Sequence, residues 1–196
     1  MAVSRDRFEQ GLTYQQYKEQ MTRNREQFDK NETQFQPATA DVEALRGLPQ
    51  PLNVAVMAED WCGDVIANLP VLGKLAQTSG KLNLRVFLRD QNLDIMDQYL
   101  KEGKFRSIPV FAFFDQAFNP VGQFIERPAS VTELRARKRS EIFAKNPEFG
   151  SPSAPVDQLP EDVRVRLAEA QTKMREETAP FANAEVVREL RAIVER

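Results

Sequence analysis

Leu52-Asn53-Val54-Ala55-Val56-Met57-Ala58-Glu59-Asp60-Trp61-Cys62-Gly63-Asp64-Val65-Ile66 is the stretch on which the fold turns. Its first half is a short apolar run, as expected of a strand buried on both faces. Glu59–Asp64 reads as a turn. Beyond it, Val65, Ile66, Leu69, Leu72 and Leu75 recur at helical spacing. Pro70 lies inside that helix and predicts a kink, because proline has no N–H and collides with the preceding turn. Cys62 thus falls where a strand ends and a helix begins. A thiolate there faces unpaired backbone N–H groups and the positive end of the helix dipole, which lower its pKa. Asp60 and Asp64 flank the sulfur and oppose ionisation, so the expected net shift is modest.

The pattern continues outward in both directions. Leu82 to Leu88 reads as a second strand, and Asn92 to Lys101 as a helix presenting Leu93, Met96, Tyr99 and Leu100. Pro109 to Phe114 and Val121 to Glu126 read as two more strands, with a turn at Asn119-Pro120. Ser130 is the expected cap of a basic amphipathic helix over about 130–145, with Val131, Leu134 and Ile142 inward. Alternating strand and helix first, and a hairpin last, imply an α/β fold with a mixed sheet. Upstream, Thr13 and Gln16 form a capping box for a helix over about 14–31 that carries Tyr14, Tyr17, Met21 and Phe28. A short helix near 41–47 closes at Gly47 and Pro49.

Four segments follow from this reading. Residues 1–48 form an N-terminal helical extension on the core, and 49–146 the α/β domain. Residues 147–160 form a linker rich in proline (Pro147, Pro152, Pro155, Pro160), and 161–196 a helical hairpin. One arm of the hairpin carries Val163, Leu167, Ala170 and Met174. The other carries Val186, Leu190 and Ile193, with Asn183 as its N-cap. It docks either on the domain or on a second subunit, as in a homodimer.

Composition removes several functions. The net charge is −2, from 27 basic and 29 acidic residues interspersed along the 196-residue chain. Such a balance lacks the one-signed field of a nucleic-acid or membrane-surface binder. Arg135, Arg137, Lys138 and Arg139 are accordingly read as a solvated helix face. The chain has no histidine and one cysteine. Ser-His-Asp and Cys-His machinery, imidazole zinc sites and an internal disulfide are therefore excluded. No cofactor is implied. The first residues have no apolar signal-peptide core and no run approaches a membrane span, so the expected location is the cytoplasm.

Three features with their surroundings resemble the thioredoxin superfamily. Ala58-Glu59-Asp60-Trp61-Cys62-Gly63 after an apolar strand looks like its active-site approach. Pro70, eight residues past the cysteine, matches its helix-kinking proline. Arg106-Ser107-Ile108-Pro109-Val110 before a phenylalanine-rich strand looks like its cis-proline segment. The resemblance covers roughly residues 50–146. The longer form, with its tyrosine-bearing N-terminal helix and Trp-Cys-Gly-Asp turn, is similar to stand-alone bacterial members. It implies a thioredoxin-like fold with a central mixed four- to five-stranded sheet flanked by helices. It also implies that Cys62 is the nucleophilic thiol, with Trp61, Gly63, Asp64, Ile108 and Pro109 lining the substrate site. Trp61 would pack beside the sulfur, and Ile108-Pro109 would be cis, offering the Ile108 backbone to an extended substrate.

Two departures from that family shape the expected activity. The second redox cysteine would stand at Val65, and the buried acid that serves it at Val56. Dithiol enzymes release a mixed disulfide when the second thiolate attacks it, and Val65 cannot do so. Two readings follow. The first is a monothiol redox protein whose mixed disulfides on Cys62 are resolved by an outside thiol; its partner is a low-molecular-weight thiol or a protein disulfide. The second is a non-catalytic binding module that keeps the fold for docking. Thiol reactivity separates them: a Cys62 pKa at or above the free-thiol value of about 8.5 favours the module.

Overall fold

The apolar runs become one mixed sheet in the computed structural model, which describes residues 3–153 and 155–195. The strands are β1 (Leu52–Ala58), β2 (Leu82–Leu88), β3 (Val110–Phe114) and β4 (Pro120–Ile125), ordered β2-β1-β3-β4. β1 runs parallel to β2 and antiparallel to β3, and β3 pairs antiparallel with β4. The two central strands are buried along their whole length. Apart from Asn53, their Leu, Val, Ala, Met and Phe content follows from having both faces covered.

The helices are α1 (Arg5–Glu9), α2 (Tyr14–Gln20), α3 (Arg25–Gln34), α4 (Thr39–Arg46), α5 (Gly63–Ser79), α6 (Leu93–Met96), α7 (Ala129–Lys145) and α8 (Glu161–Val194). The capping box forms as expected: Thr13 Oγ1 accepts from Gln16 N, and the Gln16 side chain accepts from Thr13 N. The single N-terminal helix expected over 14–31 is two helices. The chain breaks between them at Met21–Asn24, where Asn24 takes a left-handed φ of 55°. Asp60 holds this break from outside, its Oδ2 accepting from Thr22 N at 2.7 Å and Arg23 N at 3.0 Å. Before α2, Leu12 and Val86 exchange backbone hydrogen bonds of 2.9 and 2.7 Å, which ties the N-terminal segment to the free edge of β2.

Pro70 lies within α5, which remains one helix through it. The missing Pro70 N–H deprives the Ile66 carbonyl of its partner four residues on. Asn31 of α3 supplies the replacement, its Nδ2 donating to Ile66 O at 2.8 Å. Phe8, Tyr17, Phe28 and Leu45 from the N-terminal helices join the same core as the strands.

Three further expectations are corrected. The helix over 92–101 is only α6, because Lys101 and Phe105 pair their backbones across a turn with positive φ at Glu102 and Gly103. Pro128, not Ser130, stands at the N-cap of α7, and the Ser130 hydroxyl donates to Glu185 instead. The C-terminal hairpin is one 34-residue helix, α8, so Asn183 is interior to it and caps nothing. The stretch from Met174 to Val186 contains no glycine and three alanines (Ala179, Ala182, Ala184), which favour continuing the helix.

The chain divides into two compact units, residues 1–127 with 186–196, and residues 128–185. The first holds the sheet, α1 to α6 and the last turns of α8, whose Val186, Leu190 and Ile193 are buried. The second has its own small core, in which Phe143 and Phe149 meet edge to face with Val163 and Leu167. Phe149 comes from the proline-rich stretch 147–160, which forms short 3-10 turns at Pro147–Phe149 and Val156–Gln158. No helix of the described residues is long and apolar enough to cross a membrane.

Candidate functional site

The topology explains why distant residues meet at Cys62. Parallel pairing puts the C-terminal ends of β1 and β2 at one edge of the sheet, with Ala58 opposite Leu88. Antiparallel pairing brings the start of β3 to that edge, with Met57 opposite Val110. The turns after β1 and β2 and the segment before β3 therefore converge. They carry Glu59–Cys62, Arg89-Asp90 and Ile108-Pro109.

Cys62 is the N-cap residue of α5, in extended backbone geometry, and its side chain is half-buried. Its thiol donates to the Ile108 carbonyl at 3.5 Å, a sulfur-length contact. The Ile108-Pro109 peptide is cis. Trp61 remains 44% exposed beside the sulfur-bearing turn. The Arg89 guanidinium lies over its ring, 4.8 Å from the centroid. Ile108 is buried and Gly63 opens the helix. The sequence-predicted residues Trp61, Cys62, Gly63, Asp64, Ile108 and Pro109 thus gather at one edge of the sheet.

Burial pushes the Cys62 thiol up from its ordinary value, the largest influence on it. The Val65 and Asp64 backbone N–H groups at the helix N-terminus pull the other way, although neither makes a capping hydrogen bond to the sulfur. The Asp64 charge adds to the rise and Arg89 opposes it. The modest shift expected from the sequence is therefore corrected to a net upward one. Desolvation by the surrounding residues was the influence missing from a local reading. Asp60, also expected to repel the thiolate, turns its carboxylate to the α2–α3 connection instead.

Asp64, in the first turn of α5, pairs with Arg127. Arg127 also pairs with Glu126 at 2.9 Å, and Glu126 with Lys101. Glu126 has a left-handed φ of 66°, and both of its backbone groups are bonded: N donates to Pro109 O at 2.7 Å, and O accepts from Asn68 Nδ2 at 2.8 Å. That pair of bonds fastens the cis-proline segment to α5. Val56 and Val65 are both fully buried. The positions that the resemblance reserves for an acid and a second thiol are filled by packed aliphatic side chains.

Two site residues escaped the sequence reading. Arg89 could have been found from the rule that the C-terminal ends of parallel strands share a crevice. Tyr17 of α2 is fully buried, and Asp60, Glu59 and the Cys62 sulfur act on its hydroxyl.

The thioredoxin family matches this chain over residues 11–139, and the chain belongs to that family. Among solved structures it is similar to a protein of unknown function from Pseudomonas aeruginosa, with 18% identity and a TM-score of 0.68 over 100% of this chain and 98% of that one. It is also similar to an HIV epitope-scaffold, with 16% identity and a TM-score of 0.60 over 96% of this chain and 94% of the other. Identities this low speak for the fold. No curated protein matches the chain.

Proposed function

We propose that this thioredoxin-fold protein is a monothiol thiol–disulfide protein working through Cys62. The observation that carries the reading is the contact between the Cys62 thiol and the Ile108 carbonyl at 3.5 Å. It sets the chain's single thiol beside backbone that an extended partner can pair with, at a helix end whose N–H groups favour the thiolate. The Cys62 thiolate attacks one sulfur of a disulfide R–S–S–R. The Cys62–S–S–R bond forms, the R–S bond electrons leave with the departing thiolate, and Cys62 is oxidised as that half is reduced. Val65 offers no second sulfur. An outside thiolate must attack the mixed disulfide, which returns Cys62 as thiolate and carries R away in a new disulfide.

Incubation with oxidised glutathione followed by intact-mass measurement tests this. A single glutathione adduct that free thiol removes is expected; no adduct on folded protein would overturn the reading. One observation favours a second reading: burial pushes the thiol up, which slows any attack at neutral pH. A non-catalytic docking module along the same edge would keep the fold without needing a reactive sulfur.

A further inference from the structure

Beside the Cys62 turn lies a pocket of about 200 Å³, lined by Tyr17, Gln20, Met21, Glu59, Asp60 and Leu88 among others. At about 30 Å³ per water, it has room for roughly six waters, or for one short organic arm. The Tyr17 side chain is fully buried, yet its hydroxyl has no hydrogen-bond partner among the described residues. A buried phenol ordinarily finds one. Burial is the largest influence on this hydroxyl, followed by the Asp60 and Glu59 carboxylates and the Cys62 sulfur, and Tyr17, Glu59 and Asp60 line the same pocket.

The two carboxylates are only partly used. Asp60 Oδ2 accepts from Thr22 N, Thr22 Oγ1 and Arg23 N. Glu59 Oε1 accepts from Asp90 N at 2.9 Å. Among the described residues, the second oxygen of each carboxylate and the Tyr17 oxygen take no hydrogen bond. A primary ammonium carries three N–H donors, and these are three acceptors. Met21 and Leu88 supply apolar cover for a carbon arm. Arg89, a cation of this edge, is engaged with Asp90, the Arg106 carbonyl and the Trp61 ring. An anionic ligand would instead face two carboxylates.

We propose that this pocket is a subsite for a primary ammonium group, and that the partner of Cys62 is a small amine-bearing thiol or its disulfide. The inference rests on the redox reading of Cys62. With cystamine, the Cys62 thiolate attacks one sulfur, the aminoethylthio group is transferred to Cys62, and cysteamine leaves as the reduced product. Its ammonium would sit against Tyr17, Glu59 and Asp60.

The test compares adduct formation by cystamine and by bis(2-hydroxyethyl) disulfide, which is similar in length but uncharged. The ratio of the two rates for the chain is divided by the same ratio for a free cysteine peptide. A normalised preference for cystamine of about tenfold is expected, on the scale of one hydrogen bond to a charged group. It should be lost in Glu59→Gln and reduced in Tyr17→Phe. Propylamine, which has no sulfur, is titrated separately while the Tyr17 ring signals are followed by NMR, and saturable shifts are expected. If propylamine binds but cystamine gives no adduct, the subsite stands and the redox reading falls. If both disulfides react with no normalised preference and propylamine leaves Tyr17 unmoved, the subsite is overturned while the redox reading stands.

Discussion

Cys62 is held between opposing influences of known sign. Burial raises its pKa, and the backbone N–H groups of Asp64 and Val65 lower it without overcoming the rise. A raised value means less thiolate at neutral pH. Alkylation by iodoacetamide should therefore reach half its limiting rate above about pH 8.5, the midpoint of an unperturbed thiol. A plateau below pH 8 would contradict this. Much of the site was legible at this scale because Trp61, Cys62, Gly63 and Asp64 are neighbours in sequence, at the end of an unmistakable strand. Burial was not legible, since it is contributed by residues that no local window contains. Tyr17 and Arg89 were missed for the same reason: one is delivered by the Leu12–Val86 pairing and the other by the parallel alignment of β1 with β2.

At the level of elements, α5 depends on a repair made from outside it. Pro70 orphans the Ile66 carbonyl, and Asn31 Nδ2 answers it at 2.8 Å. Asn31→Ala would leave that carbonyl unpaired inside the protein, at a cost of about 1–3 kcal/mol. A lowered urea midpoint with an unchanged slope is the expected result, and an unchanged midpoint would show that another donor takes over. The capping box announced the start of α2 because Thr13 and Gln16 act on each other three residues apart. Its end was hidden, because the break at Met21–Asn24 is held by Asp60, a residue 36 positions beyond Asn24. The long α8 was misread as two arms for a different reason. Pro180 and Asn183 are ordinary helix-end signals, but the surrounding alanines and absence of glycine let the helix run through both.

Across the whole molecule, the last turns of α8 belong with the sheet-bearing unit. Ile193 reaches Gly122 of β4 so closely that a Cβ there would meet its methyl at 2.8 Å, and Arg191 pairs with Asp41 at 3.0 Å. Val186, Val187, Leu190, Ile193 and Val194 are all buried. Each such side chain contributes about 1.5–3 kcal/mol, against a total stability of about 5–15 kcal/mol for an ordinary domain. A chain ending at Glu185 should accordingly unfold at markedly lower temperature; an unchanged melting temperature would mean these turns are dispensable. The fold class was readable because its strand order and apolar runs are regional properties. The division into units was not, because a single helix serves both. One thiol in the whole chain also fixes how a disulfide reagent must be consumed. Reaction with 5,5′-dithiobis(2-nitrobenzoate) and no added thiol should release one nitrothiobenzoate per chain and leave the other half bound to Cys62. Val65→Cys should release two and close a disulfide between residues 62 and 65. Release of none from the folded native chain, or a Val65→Cys variant that stops at one with its adduct retained, would contradict the account.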